Sequence, residues 1–208
     1  MAHDQVVQPS NHVVRQALRS DVGTVARVLA EAFDADPMMR FVVPSTRYRK
    51  RLTALFAFET LLSPQGSWVA VADGEIAGAA LWGLPGARPP GFWPTLRYSR
   101  YLLRAFGTGL PAALRSFRVI EDAHPASPPH WYLQTLGVAR PGRGVGGALL
   151  RDGLARADAQ GLPAYLESSA PENVAIYERY GFRPAREIVL PGGPTLTAMW
   201  REPVRGGQ

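Results

Sequence analysis

The sequence has no cysteine in its 208 residues. That absence excludes disulfide frameworks, thiolate zinc sites and a cysteine nucleophile together, so any catalysis must use oxygen or nitrogen groups. Lysine is almost missing as well: Lys50 stands alone, and the other 22 of the 23 basic residues are arginine, against 17 acidic residues and a net charge of +6. Such a charge suits a polyanionic ligand such as a nucleotide or coenzyme, and equally suits plain solubility. No apolar run reaches the roughly 20 residues that span a bilayer. Met1 to Asn11 is polar, without the hydrophobic block of a signal peptide. These absences predict a soluble, cytoplasmic protein with no membrane partner. His3, His12, His124 and His130 are not at metal-ligand spacing, so no metal is expected. What is present is 46% hydrophobic residues, including 10% aromatics, enough to fill one core.

Residues 1–11 read as a disordered leader, 12–203 as one domain with a helical insertion at about 85–129, and 204–208 as a flexible tail. A short strand over His12 to Leu18 precedes a helix capped at Ser20 or Asp21 that runs to about Phe33. Asp34 to Thr46, with Pro37 and Pro44, reads as a loop, and Tyr48 to Leu62 as a second helix. Asp73-Gly74 joins two strands, Ser67 to Ala72 and Ile76 to Leu84, as a hairpin. The insertion is helical from Thr95 to Asp122, broken at Gly107, Gly109 and Pro111. The last third reads strand (His130 to Ala139), glycine-rich turn, helix, strand (Ala164 to Ser168), short helix (Glu172 to Tyr180) and two strands, Glu187 to Leu190 and Leu196 to Trp200. On the fourth strand Tyr132, Gln134 and Leu136 are expected to share one face.

The turn Pro141-Gly142-Arg143-Gly144-Val145-Gly146-Gly147 feeds a strand directly into a helix. Backbone N–H groups and the positive end of the helix dipole then converge on one point, which is the physics of a pyrophosphate site. The same glycines would also serve a tight connection needed only for packing. A nucleotide-hydrolase loop needs a Gly-Lys-Ser/Thr ending, which is lacking here. A dinucleotide-binding fingerprint belongs after the first strand of repeated βαβ units, not in the last third behind a hairpin.

Three segments together resemble the GNAT superfamily of acyl-CoA-dependent N-acyltransferases: Leu136-Gly137-Val138, the glycine turn, and Asn173-x-x-x-Tyr177-x-x-x-Gly181-Phe182. The order of elements matches over most of the chain. The resemblance implies a fold of the α/β class (α+β type), with a mixed, mostly antiparallel twisted sheet flanked by helices. It implies acetyl-CoA as the acyl-donor co-substrate, without a metal, and an amine of a small molecule or peptide as acceptor. No nucleic-acid partner is expected, and a homodimer is compatible with the reading. The chain departs from the family at the first loop position, where Pro141 replaces a Gln or Arg and removes an N–H donor.

By the same resemblance, Leu136 and Val138 line the donor site, with the Val138 N–H polarising the thioester carbonyl. Gly142, Arg143, Gly144, Val145, Gly146 and Gly147 hold the pyrophosphate, Asn173 meets the pantetheine arm, and Tyr177 serves as the acid for the departing thiolate. Asn173 could alternatively cap its helix, and Tyr177 could be a core aromatic. The base is open: Glu167 on the fifth strand is the candidate, with Glu31, Asp34 and Asp36 as other carboxylates near the amine pocket, and His130 or a chain of water as further routes. The expected function is acetyl transfer by direct attack in a ternary complex. The alternative is a non-catalytic acyl-CoA-binding regulatory or sensor domain.

Overall fold

In the computed structural model, which describes residues 12–86 and 92–204, the alternating segments form one sheet and the helical ones cover both of its faces. The expected leader and most of the tail lie outside the described residues. Strand β1 (Val13–Gln16) leads through a 3-10 turn at Arg19–Asp21 into α1 (Val22–Ala32). The Asp21 carboxylate fixes that entry by accepting the Leu18 N–H at 2.8 Å and the Arg15 guanidinium at 2.6 Å. The segment read as a loop contains a helix, α2 (Pro37–Val42). Pro37 starts it, at a position where a missing N–H costs nothing, and Asp36 caps it by accepting the Met39 N–H at 2.8 Å. Helix α3 (Tyr48–Leu62) follows, then the hairpin of β2 (Ser67–Ala72) and β3 (Glu75–Gly83). Both turn residues are left-handed, Asp73 at φ 53° and Gly74 at φ 80°, as the twist of a two-residue hairpin requires.

The insertion forms α4 (Phe92–Phe106) and α5 (Leu110–Ala123), and it leads to β4 (Trp131–Val138). The remainder is α6 (Val145–Ala159), β5 (Ala164–Ser168), α7 (Pro171–Glu178), β6 (Arg183–Val189) and β7 (Thr195–Arg201). Strand β6 is longer than expected because it is the sheet's edge: its exposed arginines and Pro184 read as loop chemistry, yet edge strands tolerate both. The strand order is β1-β2-β3-β4-β5-β7-β6, antiparallel throughout except for β4 beside β5. Helices α1 to α5 bury one face with Leu29, Leu52, Phe56 and Phe106, and α6 buries the other with Leu149, Leu150 and Leu154. Among the described residues no helix is long and apolar enough to cross a membrane.

Two irregularities of β4 shape everything near it. Leu81 of β3 faces Thr135 and Trp82 faces Leu133, so Gln134 is an extra, bulged residue without a partner. The bulge reverses the side-chain phase. Tyr132 packs on the α1–α5 face, as do Thr135 and Gly137 beyond the bulge, whereas Leu136 and Val138 pack on the α6 face. The expected common face of Tyr132, Gln134 and Leu136 is thereby corrected: strict alternation fails across a bulge. The second irregularity is that β4 pairs with β5 only from Trp131 to Leu133, opposite Ala164 to Leu166, and then the strands part.

The far end of α6 is tied to the sheet by Arg201, whose side chain is 7% exposed. Its guanidinium donates to both Asp158 oxygens at 2.7 and 2.8 Å and to the Tyr180 carbonyl at 2.9 Å. Asp158 also accepts the Val204 N–H, and the Arg201 hydrogen bond holds its carboxyl below the ordinary range. Asp158→Ala, which strands a buried guanidinium, is expected to lower stability by about 3 kcal/mol at pH 7. A carboxyl with a lowered folded-state pKa stabilises above its unfolded value near 3.8, and that stability fades as pH falls through the folded value. Denaturant unfolding of both proteins should therefore show a gap at pH 7 that closes in acid.

Candidate active site

Where β4 leaves β5, one edge of β4 is open. The Ala139 N–H bonds to the Ala77 carbonyl of the β3 strand at 2.9 Å. Backbone groups alternate along a strand, so the N–H and C=O of Val138, and likewise of Leu136, point to the opposite, unpaired edge. The glycine turn lies at the end of this edge. Gly142 at φ 90° and Gly144 at φ 74° adopt the left-handed conformation that bends the chain into α6. The first intrahelical bond is from Ala148 N–H to the Gly144 carbonyl at 2.9 Å, so the amides of Val145, Gly146 and Gly147 have no helical acceptor.

The start of α6 is held close against β4. A Cβ on Gly146 would lie 3.4 Å from Val138 Cγ1, and one on Gly147 would lie 2.5 Å from the Tyr180 hydroxyl. Pro141 is exposed at the outer rim of the turn and does not interrupt these amides. Arg143 is held in place, with its carbonyl 2.5 Å from His12 Nε2 and its guanidinium 3.6 Å from Asp73. A free strand edge running into unpaired amides at a helix start fits an elongated ligand with amide groups along its arm and a phosphate at its end.

Asn173 and Tyr177 project from successive turns of α7 beside the parting strands. Asn173 is not the cap, since Ala170 occupies that position without a side-chain bond. The Tyr177 ring packs edge-on against Phe182 at 6.0 Å. Burial, together with the Asp36 charge, pushes its phenol up to about 12, which keeps the proton on at neutral pH. Asp36 itself accepts a short hydrogen bond from Ser169 Oγ, tying the α1–α2 turn to the β5–α7 turn across the open end of the strands.

The carboxylates sort clearly. Glu31 is exposed, Asp34 is engaged by Arg40 and Arg49 at 3.3 Å each, and Asp36 is used as a cap and a tie. Glu167 is different: its side chain is 4% exposed, it lies just past the last paired residue of β5, and its Oε1 has no hydrogen-bond donor. Glu59 of α3, not among the carboxylates expected from the sequence, is partly buried on the same face. It accepts a hydrogen bond from the Thr135 hydroxyl at 3.2 Å, and burial pushes its carboxyl up to about 7. Tyr132 lies close enough to both that their charges, after burial, help to drive its phenol well above the ordinary value. A signal for Glu59 existed in the sequence: it is the one acid in an otherwise apolar stripe of Leu52, Leu55, Phe56 and Leu62.

The structure thus brings Leu136, Val138 and the turn from Gly142 to Gly147 together on one side of the sheet, with Tyr177 beside them, and it puts Glu167 on the other side at the fork. The description of the acetyltransferase (GNAT) family matches residues 30–182. Over 183 residues the chain is 29% identical to an uncharacterized N-acetyltransferase of Schizosaccharomyces pombe, covering 82% of this chain and 74% of the relative. It is similar, at 28% identity and a TM-score of 0.66, to a crystal structure of histone acetyltransferase HPA2 and related acetyltransferase from Corynebacterium glutamicum, over 95% of this chain and 99% of that one. The Drosophila melanogaster polyamine N-acetyltransferase, 17% identical with a TM-score of 0.59 over 92% and 100% of the two chains, shares the fold.

Glu59 generates a test that needs no ligand. A carboxyl with a raised folded-state pKa is paid for in stability only once it ionises, so the folded state should weaken as pH rises from the unfolded value near 4.5 to about 7 and stay level above that. Glu59→Gln should abolish this slope, and its stability relative to the parent should rise by about 3 kcal/mol across the interval. A pH-independent difference between the two unfolding curves would show that Glu59 does not titrate there.

Proposed function

Because the chain belongs to the GNAT acetyltransferase family, we propose that it moves an acetyl group from acetyl-CoA to a primary amine of a small molecule or peptide, by direct attack in a ternary complex. The family and its relatives are N-acetyltransferases, so an enzyme displaces the non-catalytic sensor alternative. The observation that carries the reading is the open edge of β4 after Leu133, leading into the unpaired amides at the start of α6.

Acetyl-CoA supplies an activated acyl group, a thioester. The amides of Val145 to Gly147 would bind its pyrophosphate, with Gly142 and Gly144 setting the turn and Arg143 adding positive charge at the rim. Leu136 and Asn173 would flank the arm. The Val138 N–H donates to the carbonyl oxygen as negative charge develops there, which a fixed backbone donor does without reorganising. Tyr177 gives its proton to the departing sulfur. Its raised pKa keeps it protonated at rest, so that it can donate a hydrogen bond to the sulfur as negative charge develops there. Glu167, buried at the fork with an unpartnered oxygen, accepts the proton that the amine loses. The thioester is thereby polarised from the open edge of β4 and the amine is deprotonated from the face that carries Glu167.

Calorimetric titration with acetyl-CoA tests donor binding, with an adenine nucleotide as comparison. Gly144→Glu should abolish the heat of binding, because the left-handed position disfavours a side chain and the carboxylate repels phosphate. Tyr177→Phe should leave acetyl-CoA affinity nearly unchanged while lowering turnover about 100-fold at neutral pH. Full activity in that variant would remove Tyr177 from the acid role.

A further inference from the structure

Behind Glu167 lies a pair of histidines whose hydrogen bonds run in one direction. His130 Nδ1 is 2.8 Å from the Pro128 carbonyl, which can only accept, so that nitrogen carries the proton. His130 Nε2, bare in this tautomer, is 3.0 Å from His124 Nε2, which must therefore donate. Burial lowers the His130 pKa, in keeping with a neutral ring of this tautomer. His124 is left with a bare Nδ1 when neutral, and that atom faces Glu167 Oε1 at 3.6 Å. Two acceptors thus face each other beyond hydrogen-bond range, and a proton arriving between them would draw them together. Oε1 has no hydrogen-bond donor among the described residues, while the Tyr132 and Tyr165 phenols interact with the same carboxylate.

The surroundings keep this geometry rigid. The His124 ring stands edge-on to Tyr132 at 4.6 Å and to Tyr165 at 4.9 Å, and His130 packs on Trp200 at 5.2 Å. Access to water differs sharply along the row: the Glu167 side chain is 4% exposed and that of His124 is 28% exposed. His124 also borders a cavity of about 440 Å³ whose wall includes Asp122, Tyr165, Arg186 and Trp200. The titratable and charged groups facing the pair are Tyr132 on β4, Tyr165 on β5, Arg186 on β6 and Asp122 on α5, with Glu59 of α3 acting on Tyr132.

We propose that His124 is the proton acceptor behind Glu167, a positioning residue held by His130 in the tautomer whose bare Nδ1 receives the proton taken from the amine. The proposal rests on the acyl-transfer reading with Glu167 as base. As the nitrogen–carbon bond forms and the carbon–sulfur bond breaks, the amine N–H proton passes to Glu167 and is shared between Oε1 and Nδ1. Tyr177 protonates the sulfur. Water in the cavity removes the shared proton through the partly exposed imidazole, and water restores the one lost by Tyr177. Glu167 is returned to its carboxylate form without itself opening to solvent.

Two measurements test this. The first is long-range nitrogen–proton NMR of the histidine rings in the protein without ligands, expected to show His130 protonated at Nδ1 and His124 at Nε2. The opposite tautomers would overturn the proposal whether or not any amine is turned over. The second is thiol release from acetyl-CoA with a probe mixture of agmatine, spermidine, phenethylamine and glycinamide, followed from about pH 6 to about pH 9. His124→Phe keeps the ring packing and should lower kcat about 100-fold with the acetyl-CoA KM unchanged. In His124→Gly, added imidazole should restore the rate and pyrrole, of the same shape without a bare nitrogen, should not. An undiminished rate in His124→Phe, or equal rescue by pyrrole, would overturn the relay. No thiol release from the parent enzyme with any of the amines would instead bring down the acyl-transfer reading on which it rests.

Discussion

Strand β4 is hydrogen-bonded to β3 as far as Val138, but its pairing with β5 stops at Leu133 and Leu166. An unpaired backbone N–H or C=O shut away from water costs about 1–3 kcal/mol, so an open strand edge inside a sheet demands another partner. Here the edge leads into α6, whose first amides are equally without acceptors. The bulge at Gln134 belongs to the same constraint, because it turns Leu136 and Val138 toward α6 and Thr135 and Gly137 toward α1 and α3. With Gly137 lacking a side chain, α1 comes so close that a Cβ would lie 2.8 Å from both Ala32 and Leu29. That contact brings the end of α1, and with it Asp36, over the open end of the strands.

The sheet then divides the charges. On the α6 face lie a helix start and the Arg143 turn, which favour an anion. On the other face Glu59 meets Thr135 and Glu167 is enclosed beside His124, with Tyr132 close to both. Charged carboxylates are rarely left in such surroundings without a guanidinium or ammonium partner, and neither of these has one among the described residues. An acyl donor approached from one side and an amine from the other would meet at the fork without either charge set interfering with the other.

Much of this was legible in the residues. The span of α3, the Asp73-Gly74 hairpin, β5 and the strand–glycine–helix passage into α6 follow from periodicity and turn chemistry alone. So does the helix carrying Asn173 and Tyr177, to within two residues. Errors fell where one residue type serves two ends. Pro37 reads as a breaker and starts α2, and β6 begins at Arg183, ahead of the Glu187 start expected from the sequence. The shared face of Tyr132 and Leu136 failed because a bulge leaves no mark on composition: Gln134 is an ordinary strand residue until its partners are counted.

The sequence by itself determined the order of strands and helices and the glycine turn between β4 and α6, because local backbone geometry and side-chain period are written into neighbouring positions. Only the tertiary structure decided where the acids lie, setting Glu167, already a candidate from the sequence, at the fork and Glu59 on the same face. Glu59 and Thr135 are 76 positions apart and meet at 3.2 Å, and His124 reaches Glu167 from the end of an inserted helix. Burial and proton sharing depend on what packs around a group in space, and no periodicity along the chain encodes that distance.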